Sequence, residues 1–246
     1  MDLAPDLAAL RSLGGFFALR TGTPPHTPLP TLAQAYAEPA TDPHDTHPLA
    51  IRVRRVADGI RAPEPRVAAS IAHQALAARL WSAALGCAAL YGHVPDLHPR
   101  LLHWDPAAGA PDDLWLTEVR ARPGDADTVA DLVLHGHLVP LAAALRARHR
   151  LAPGLLRGNA ASALAGAGRL LERWARDNGR TEAAGRAREL TARLLAHPLL
   201  DRAGTLAATG FRRRSCCLYY RVPGGGVCGD CCFPRPPRSS PRAASE

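Results

Sequence analysis

The sequence of 246 residues contains no lysine, and all thirty of its basic residues are arginine. It has one methionine, and aromatic residues make up only 5% of the chain. Arginine without lysine, in a chain rich in alanine, proline and glycine, indicates a codon bias, so the net charge of +8 is poor evidence for nucleic-acid binding. Because 47% of the residues are hydrophobic and 21% are charged, the composition excludes a chain that is disordered throughout.

Signals for secretion and membrane insertion are weak. The opening residues, MDLAPDLAALR, are acidic and lack a basic stretch before an apolar one, so we expect no signal peptide. The longest uncharged apolar stretch, near Leu132–Leu145, contains two histidines and a proline and is too short to span a bilayer. These features predict a soluble, intracellular protein.

Hydrophobic spacing predicts that residues 1–210 form a mainly α-helical body. The strongest signal lies in Arg66–Tyr91, where apolar residues recur at helical spacing and Gly92 ends the pattern. Gly136 and Pro140 predict a kink or a break in the next helical region. Helices are also expected in the other periodic stretches, namely residues 5–19, residues 129–148, Pro153 to about Asp177, and Thr181 to about His197.

Four stretches are expected to lie outside helices. Proline, threonine and histidine dominate residues 21–48, which we interpret as a long loop with one turn of helix at Leu32–Ala37. Two short apolar runs, Leu101–Trp104 and Leu114–Val119, predict one small β-hairpin. A cysteine-rich segment, residues 211–233, follows the body, and residues 234–246 have the composition of a disordered tail.

The cysteines are distributed unevenly. Cys87 lies alone in the strongest predicted helix, where we interpret it as a small buried apolar residue. The other five lie in the stretch RRRSCCLYYRVPGGGVCGDCCF, in which two adjacent cysteines are followed after ten residues by a third and after two more by a fourth. Clustered thiols in an intracellular protein favour metal ligation over disulfides. Most of the basic excess belongs to this part of the chain, since residues 211–246 carry a net charge of +5.

The spacing of these cysteines does not determine which metal they bind. Structural zinc sites normally separate paired ligands by two to four residues, and adjacent residues, with Cα atoms about 3.8 Å apart, approach one small ion awkwardly. A binuclear 2Fe–2S cluster also takes four cysteines, distributed over two irons. The spacing therefore favours the cluster over zinc, and it does not show whether Cys216 and Cys217 share an iron.

The segment resembles the C-terminal motif of the ferric siderophore reductases of the FhuF-like family, C-C-x10-C-x2-C preceded by basic residues. Looser similarity, over ARLWSAALGCAALYGHVPDL and LVPLAAALRARHRLAPGLLRGNAASALAGAGRLL, extends it to the helical body. The resemblance implies that Cys216, Cys217, Cys228 and Cys231 bind a 2Fe–2S cluster. Cys232 lies outside the pattern and is interpreted as a free thiol beside the cluster, and no catalytic residue is assigned beyond the cluster.

The resemblance implies an oxidoreductase that transfers one electron to siderophore-bound Fe(III) and releases Fe(II) in the cytoplasm. Its partners would be a ferric siderophore as substrate and an unidentified electron donor, with no nucleic acid. Peripheral contact with the inner membrane or with a siderophore importer is compatible with this function. Four arginines near the cysteines would raise the potential of the cluster, attract an anionic partner, or form an ordinary solvated face: Arg212, Arg213, Arg214 and Arg221.

Two alternative functions remain open. One is an iron–sulfur electron carrier or sensor without siderophore activity, which nothing in the cysteine motif excludes. The other is a zinc-stabilised basic module that binds nucleic acid. The adjacent cysteines argue against the zinc module, as does the lack of aromatic residues interleaved with basic ones outside the C-terminal stretch.

Overall fold

The computed structural model describes residues 4–24, 28–37, 46–207 and 210–237. The predicted tail, residues 234–246, lies outside the described residues from position 238 onward. The helices are α1 (Ala4–Ala9), α2 (Leu32–Tyr36), α3 (Pro48–Ile60), α4 (Pro65–Tyr91), α5 (Ala126–Ala130), α6 (Val139–His149), α7 (Pro153–Asp177) and α8 (Thr181–Leu195). The strands are β1 (Arg20–Thr21), β2 (His93–Pro95), β3 (Leu102–Trp104), β4 (Leu114–Leu116), β5 (Ala121–Pro123), β6 (Gly204–Ala207) and β7 (Gly210–Arg213).

Helix α4 lies at the centre of the body and confirms the strongest sequence prediction. It packs against α3, α7 and α8, and most of its residues are buried. Many of those residues are alanine, so that neighbouring helices approach closely. Helices α7 and α8 also approach closely at Gly168, because a Cβ atom there would overlap the side chain of Thr191 on α8. The helix ends at Gly92, whose φ of 74° suits glycine.

The strands form three small sheets at the edges of the helical body. The predicted hairpin is confirmed: β3 pairs antiparallel with β4, with Leu102 opposite Leu116 and Trp104 opposite Leu114. Strand β1 extends this sheet by pairing parallel with β4. The sequence signal misses two further antiparallel pairs, β2 with β5 and β6 with β7, because their sequences (HVP, ARP, GTLA and GFRR) lack the apolar runs that mark β3 and β4.

The helical turn expected at Leu32–Ala37, within the predicted loop over residues 21–48, is confirmed. Helix α2 begins after Thr31, whose hydroxyl accepts a hydrogen bond from the backbone N–H of Gln34, while the Gln34 side chain accepts one from the Thr31 backbone. This reciprocal pair is a capping box, which fixes the start of a helix. Residues 25–27 and 38–45 of the same stretch lie outside the described residues.

The expected break at Gly136 and Pro140 is replaced by a change of helix type. Helix α5 continues into a π-helical segment, Asp131–Leu138, which continues into α6. Pro140 stands in the first turn of α6, and the wider π turn accommodates its missing N–H. The combined helix, Ala126–His149, is long and apolar enough to cross a membrane by length and composition, although 44% of its most apolar window is buried in the fold. Core helices of globular proteins meet the same two criteria.

Candidate iron–sulfur centre

The cysteine segment begins with strand β7, which pairs with β6. The strand places its arginines alternately on the two faces of this hairpin. Successive side chains of a strand point to opposite sides. Phe211 and Arg213 are therefore buried, whereas Arg212 and the following Arg214 are exposed. Of the three consecutive arginines, the structure assigns only Arg213 to the interior.

Arg213 is a buried cation held by uncharged groups. It is 2% exposed. Its guanidinium donates hydrogen bonds to the side-chain oxygens of Gln74 (3.3 Å) and Asn159 (2.5 Å) and to the backbone oxygens of Ser215 (3.0 Å) and Leu155 (3.4 Å). In the described ranges no carboxylate lies within ion-pair distance of it. Burying an unpaired charge is costly, so this cation favours a neighbouring anionic group.

Cys216 and Cys217 are fixed to the body by the residues that flank them. The Ser215 hydroxyl donates to the backbone oxygen of Gly154 at 2.7 Å, and the Ser70 hydroxyl on α4 donates to the backbone oxygen of Cys217, also at 2.7 Å. Gly158 of α7 allows this approach, because a Cβ atom there would overlap the Ser215 hydroxyl. The first cysteine pair therefore lies directly against α4 and α7.

The second pair is held through Asp230, the aspartate between Cys228 and Cys231. The backbone oxygen of Asp230 accepts a hydrogen bond from the Arg213 N–H at 2.9 Å. Its carboxylate accepts one from the Ser162 hydroxyl at 2.6 Å and lies 3.2 Å from the Arg169 guanidinium, both on α7. The Cys231 N–H donates to the Cys228 oxygen at 3.0 Å and closes the turn. Asp230 thus anchors the second cysteine pair to the same helix as the first.

The chain between the two pairs reverses over its glycines. Gly224 has a φ of 72°, and a Cβ atom at Gly225 would meet the backbone oxygens of Tyr219 and Val222. The Gly225 N–H donates to the Val222 oxygen at 2.7 Å. The three consecutive glycines therefore form a turn that brings the second cysteine pair back towards the first.

The thiols of the two pairs contact one another. The sulfurs of Cys216 and Cys228 neighbour that of Cys217, and the sulfur of Cys231 neighbours that of Cys232. The thiols of Cys216 and Cys228, assisted by nearby Arg213, hold the pKa of the Cys217 thiol well below its usual value. Donation to Cys217 together with partial burial raises the pKa of the Cys216 and Cys228 thiols.

Backbone N–H groups also point at the sulfurs. The Leu218 N–H donates to the Cys216 sulfur at 3.2 Å, and the Phe233 N–H donates to the Cys231 sulfur at 3.4 Å. The Tyr219 backbone likewise hydrogen-bonds the Cys217 sulfur. Hydrogen bonds to ligating sulfurs are one means by which proteins set the reduction potential of an iron–sulfur cluster.

These features fit a cluster bound by thiolates. The donors are soft sulfurs from two cysteine pairs, three of them receive backbone N–H bonds, and Arg213 supplies a buried positive charge beside them. Within the described part of the chain, no group of three or more His, Cys, Asp or Glu side chains converges closely enough to hold a metal ion. The assignment of Cys216, Cys217, Cys228 and Cys231 as the four ligands therefore stays a prediction.

The remaining candidates differ in where they lie relative to this site. Cys87 is fully buried in α4, as expected, and burial raises the pKa of its thiol to about 12. Arg221 pairs with Glu64 at 2.5 Å and is not free to face an anionic partner. Cys232 lies within the thiol group, half-buried beside Cys231.

Zinc and iron–sulfur clusters both accept a donor set of soft thiolates from two cysteine pairs. Residues 213–233 match the family model of the FhuF 2Fe-2S C-terminal domain. The C-terminal segment is therefore a FhuF-type domain, and the cofactor of the protein is a 2Fe–2S cluster. A comparison with curated proteins finds no match for the chain.

Replacing Arg213 by Gln should lower the midpoint potential of the cluster. The positive charge of Arg213 stabilises the reduced, more negative cluster. At an effective dielectric constant of about 20, one unit charge contributes on the order of 1–2 kcal/mol over roughly 8–16 Å, which is about 40–90 mV for one electron. The measurement is a redox titration followed by visible circular dichroism.

Arg214→Gln is the matched control, because Arg214 is adjacent but exposed and its charge is screened by solvent. We expect it to shift the potential much less, and Arg213→Lys, which keeps the charge, to retain most of the wild-type value. Equal shifts for Arg213→Gln and Arg214→Gln would show that the buried charge has no special role.

Proposed function

We propose that this protein is a ferric siderophore reductase, in which one electron reduces siderophore-bound Fe(III) and iron leaves the chelate as Fe(II). The observation that carries the proposal is the match of residues 213–233 to the FhuF 2Fe-2S domain, together with the resemblance of the cysteine motif to the reductases. Hard oxygen donors hold Fe(III) far more strongly than Fe(II), so a single electron is sufficient for release. When bound, the cluster supplies electrons one at a time.

The residues of the chain prepare the site for this step. Ser70, Ser215 and Asp230 hold the two cysteine pairs against α4 and α7. Cys217 is 2% exposed, whereas Cys216, Cys228 and Cys231 are half-buried. One side of the thiol group is therefore shielded from water, and the other side lies close enough to the surface for an electron donor or an acceptor to approach.

The proposal includes the cytoplasm as the place of reduction, beside the inner membrane and the importer that delivers the siderophore. Supporting it, clustered cysteines that bind a metal cluster rather than form disulfides suit a reducing compartment. Electrons would come from a separate one-electron donor. The 2Fe–2S domain match disfavours the zinc-stabilised module. It does not distinguish a reductase from an electron carrier or a sensor, and the experiment below does.

The deciding experiment follows the reduced cluster by stopped-flow absorbance. Protein reduced anaerobically with dithionite and then desalted is mixed with a ferric hydroxamate or a ferric catecholate chelate. We expect the cluster to be reoxidised, with Fe(II) appearing in equal amount in a ferrous-specific colorimetric assay. The redox-inert gallium(III) chelates are the matched control and should leave the cluster reduced. If no ferric chelate reoxidises the cluster, the protein is an electron carrier or a sensor.

A further inference from the structure

A cavity of about 250 Å³ lies between α4, α7 and the helix formed by the π segment and α6. Its inner wall is mostly leucine and alanine, and Leu199 and Leu200 close one side. At its mouth, Val139 is 47% exposed, which is unusual for a residue of its type. The volume is below that of a pocket for a whole drug-sized molecule and suits one arm of a larger one.

His73 of α4 gives this apolar wall one polar group. Its side chain is 1% exposed, and its Nδ1 atom has no hydrogen-bond partner in the part of the chain that the structure describes. Burial, and then the charge of Arg213, lower its pKa to about 3, so the imidazole is neutral at physiological pH. His73 therefore contributes a neutral ring to the cavity wall, and the charges of the site come from other residues.

Two arginines give the mouth a positive charge. Arg146 of α6 and Arg157 of α7 both line the cavity and are both exposed. Neither forms an ion pair with a described residue, in contrast to Arg176 and Arg188, which pair with Glu172 elsewhere on the surface. An apolar cavity below two unpaired guanidinium groups is complementary to an anionic molecule with an apolar arm.

The cavity is adjacent to the cysteine segment. His73 neighbours Gln74, the residue that accepts a hydrogen bond from Arg213, and lies one helical turn after Ser70, which bonds the Cys217 backbone. On α7, Arg157 and Ala160 line the cavity, while Asn159 between them binds Arg213 and Ser70. The same turns of α4 and α7 therefore carry both the wall of the cavity and the contacts to the cysteine segment.

The geometry points to this cavity as the docking site of an anionic ferric chelate, with one apolar arm inside and the charged iron centre held at the mouth by Arg146 and Arg157. This inference rests on the proposed function and adds the site and the charge class of the substrate. The π segment supports it independently, since π-helical turns occur frequently at functional sites.

The first test measures binding without electron transfer. The probe is the gallium(III) tris-catecholate complex, which is anionic and redox-inert, titrated into the cluster-loaded protein by isothermal calorimetry. Ala143→Trp places an indole at the mouth from an exposed position on α6, and Ala147→Trp, exposed one turn further on and outside the cavity, is its matched control. We expect Ala143→Trp to weaken binding at least about tenfold and Ala147→Trp to leave it unchanged.

The second test reverses the charge of the mouth. The double variant Arg146→Glu/Arg157→Glu should weaken binding of the anionic gallium complex at least about tenfold and change binding of a neutral gallium(III) tris-hydroxamate much less. Arg173→Glu is the control, since Arg173 is exposed on the same helix but about 24 Å further along it. Equal loss for both gallium complexes would overturn the charge class.

The outcomes separate this inference from the proposed function. Unchanged binding in Ala143→Trp, or no binding of the gallium complex by the wild-type protein, overturns the docking site. If ferric chelates reoxidise the cluster equally fast in Ala143→Trp and in wild type, the reductase function stands and the docking site falls. If the gallium complex binds in the cavity but no ferric chelate reoxidises the cluster, the docking site stands and the reductase function falls.

Discussion

Serine at any one of Cys216, Cys217, Cys228 or Cys231 is expected to abolish the native visible spectrum of the cluster. A serine hydroxyl is a hard donor that remains protonated at neutral pH, so it replaces a thiolate poorly on iron. The measurement is visible absorbance and iron content of anaerobically purified protein, with far-UV circular dichroism to establish that the helical body is folded.

Two further serine variants serve as controls. Cys87→Ser changes a fully buried thiol in α4, away from the cysteine segment, and should leave the spectrum intact. Cys232→Ser changes a thiol inside the segment that lies outside the expected ligand set, and should also retain the cluster. Loss of the cluster on changing Cys87 or Cys232, or its retention in one of the four ligand variants, would contradict the ligand assignment.

Asp113→Ala is expected to destabilise the fold by about 3–5 kcal/mol, because it leaves a buried arginine without its counter-charge. Arg79 on α4 is 2% exposed, and its Nε lies 2.9 Å from the Asp113 carboxylate, which is itself buried. The Arg79 guanidinium also donates to the backbone oxygens of Gly15 and Phe16, and one of its nitrogens, Nη2, already lacks a partner among the described residues. Arg52 lies 3.9 Å from the same carboxylate.

Asp112→Ala is the matched control for this variant. Asp112 precedes Asp113, but it is exposed and pairs with the partly exposed Arg20. Exposed ion pairs contribute about 0–1 kcal/mol, so the control should lose little stability. Urea denaturation followed by far-UV circular dichroism measures both. Similar losses in the two variants would show that the buried pair contributes no more than a surface one.

The sequence predicts α4, α7 and α8 well because each carries several turns of the same pattern, whereas α3 is not among the predicted helices. Helix α7 begins at Pro153 and ends at Asp177, as expected from a proline that suits a first helical turn and from the apolar spacing after it. The predicted helix over Arg66–Tyr91 is one residue from α4 as observed. The π segment has no such signal, since its apolar residues fit an α-helix equally well.

In the candidate site, likewise, the local features are predictable from the sequence and the long-range contacts are not. The spacing of the cysteines is a local property and predicts the segment, whereas the burial of Arg213 depends on Gln74 and Asn159, which are distant in sequence. One signal could have found it: if FRRR is read as a strand, alternation places Arg213 on the side of the buried Phe211 and Arg212 on the other. The role of Asp230 as an anchor has no sequence signal, because Ser162 and Arg169 meet it only in the folded chain.

The π-helical segment sets the register of everything that follows it along the same helix. In an α-helix each residue turns the chain by about 100°. A π turn closes its hydrogen bonds over one residue more than an α turn, so the segment Asp131–Leu138 sets how far Val139 and Arg146 are rotated about the helix axis relative to α5. The opening beside His73 therefore depends on the number of residues in this segment as well as on the side chains that line it.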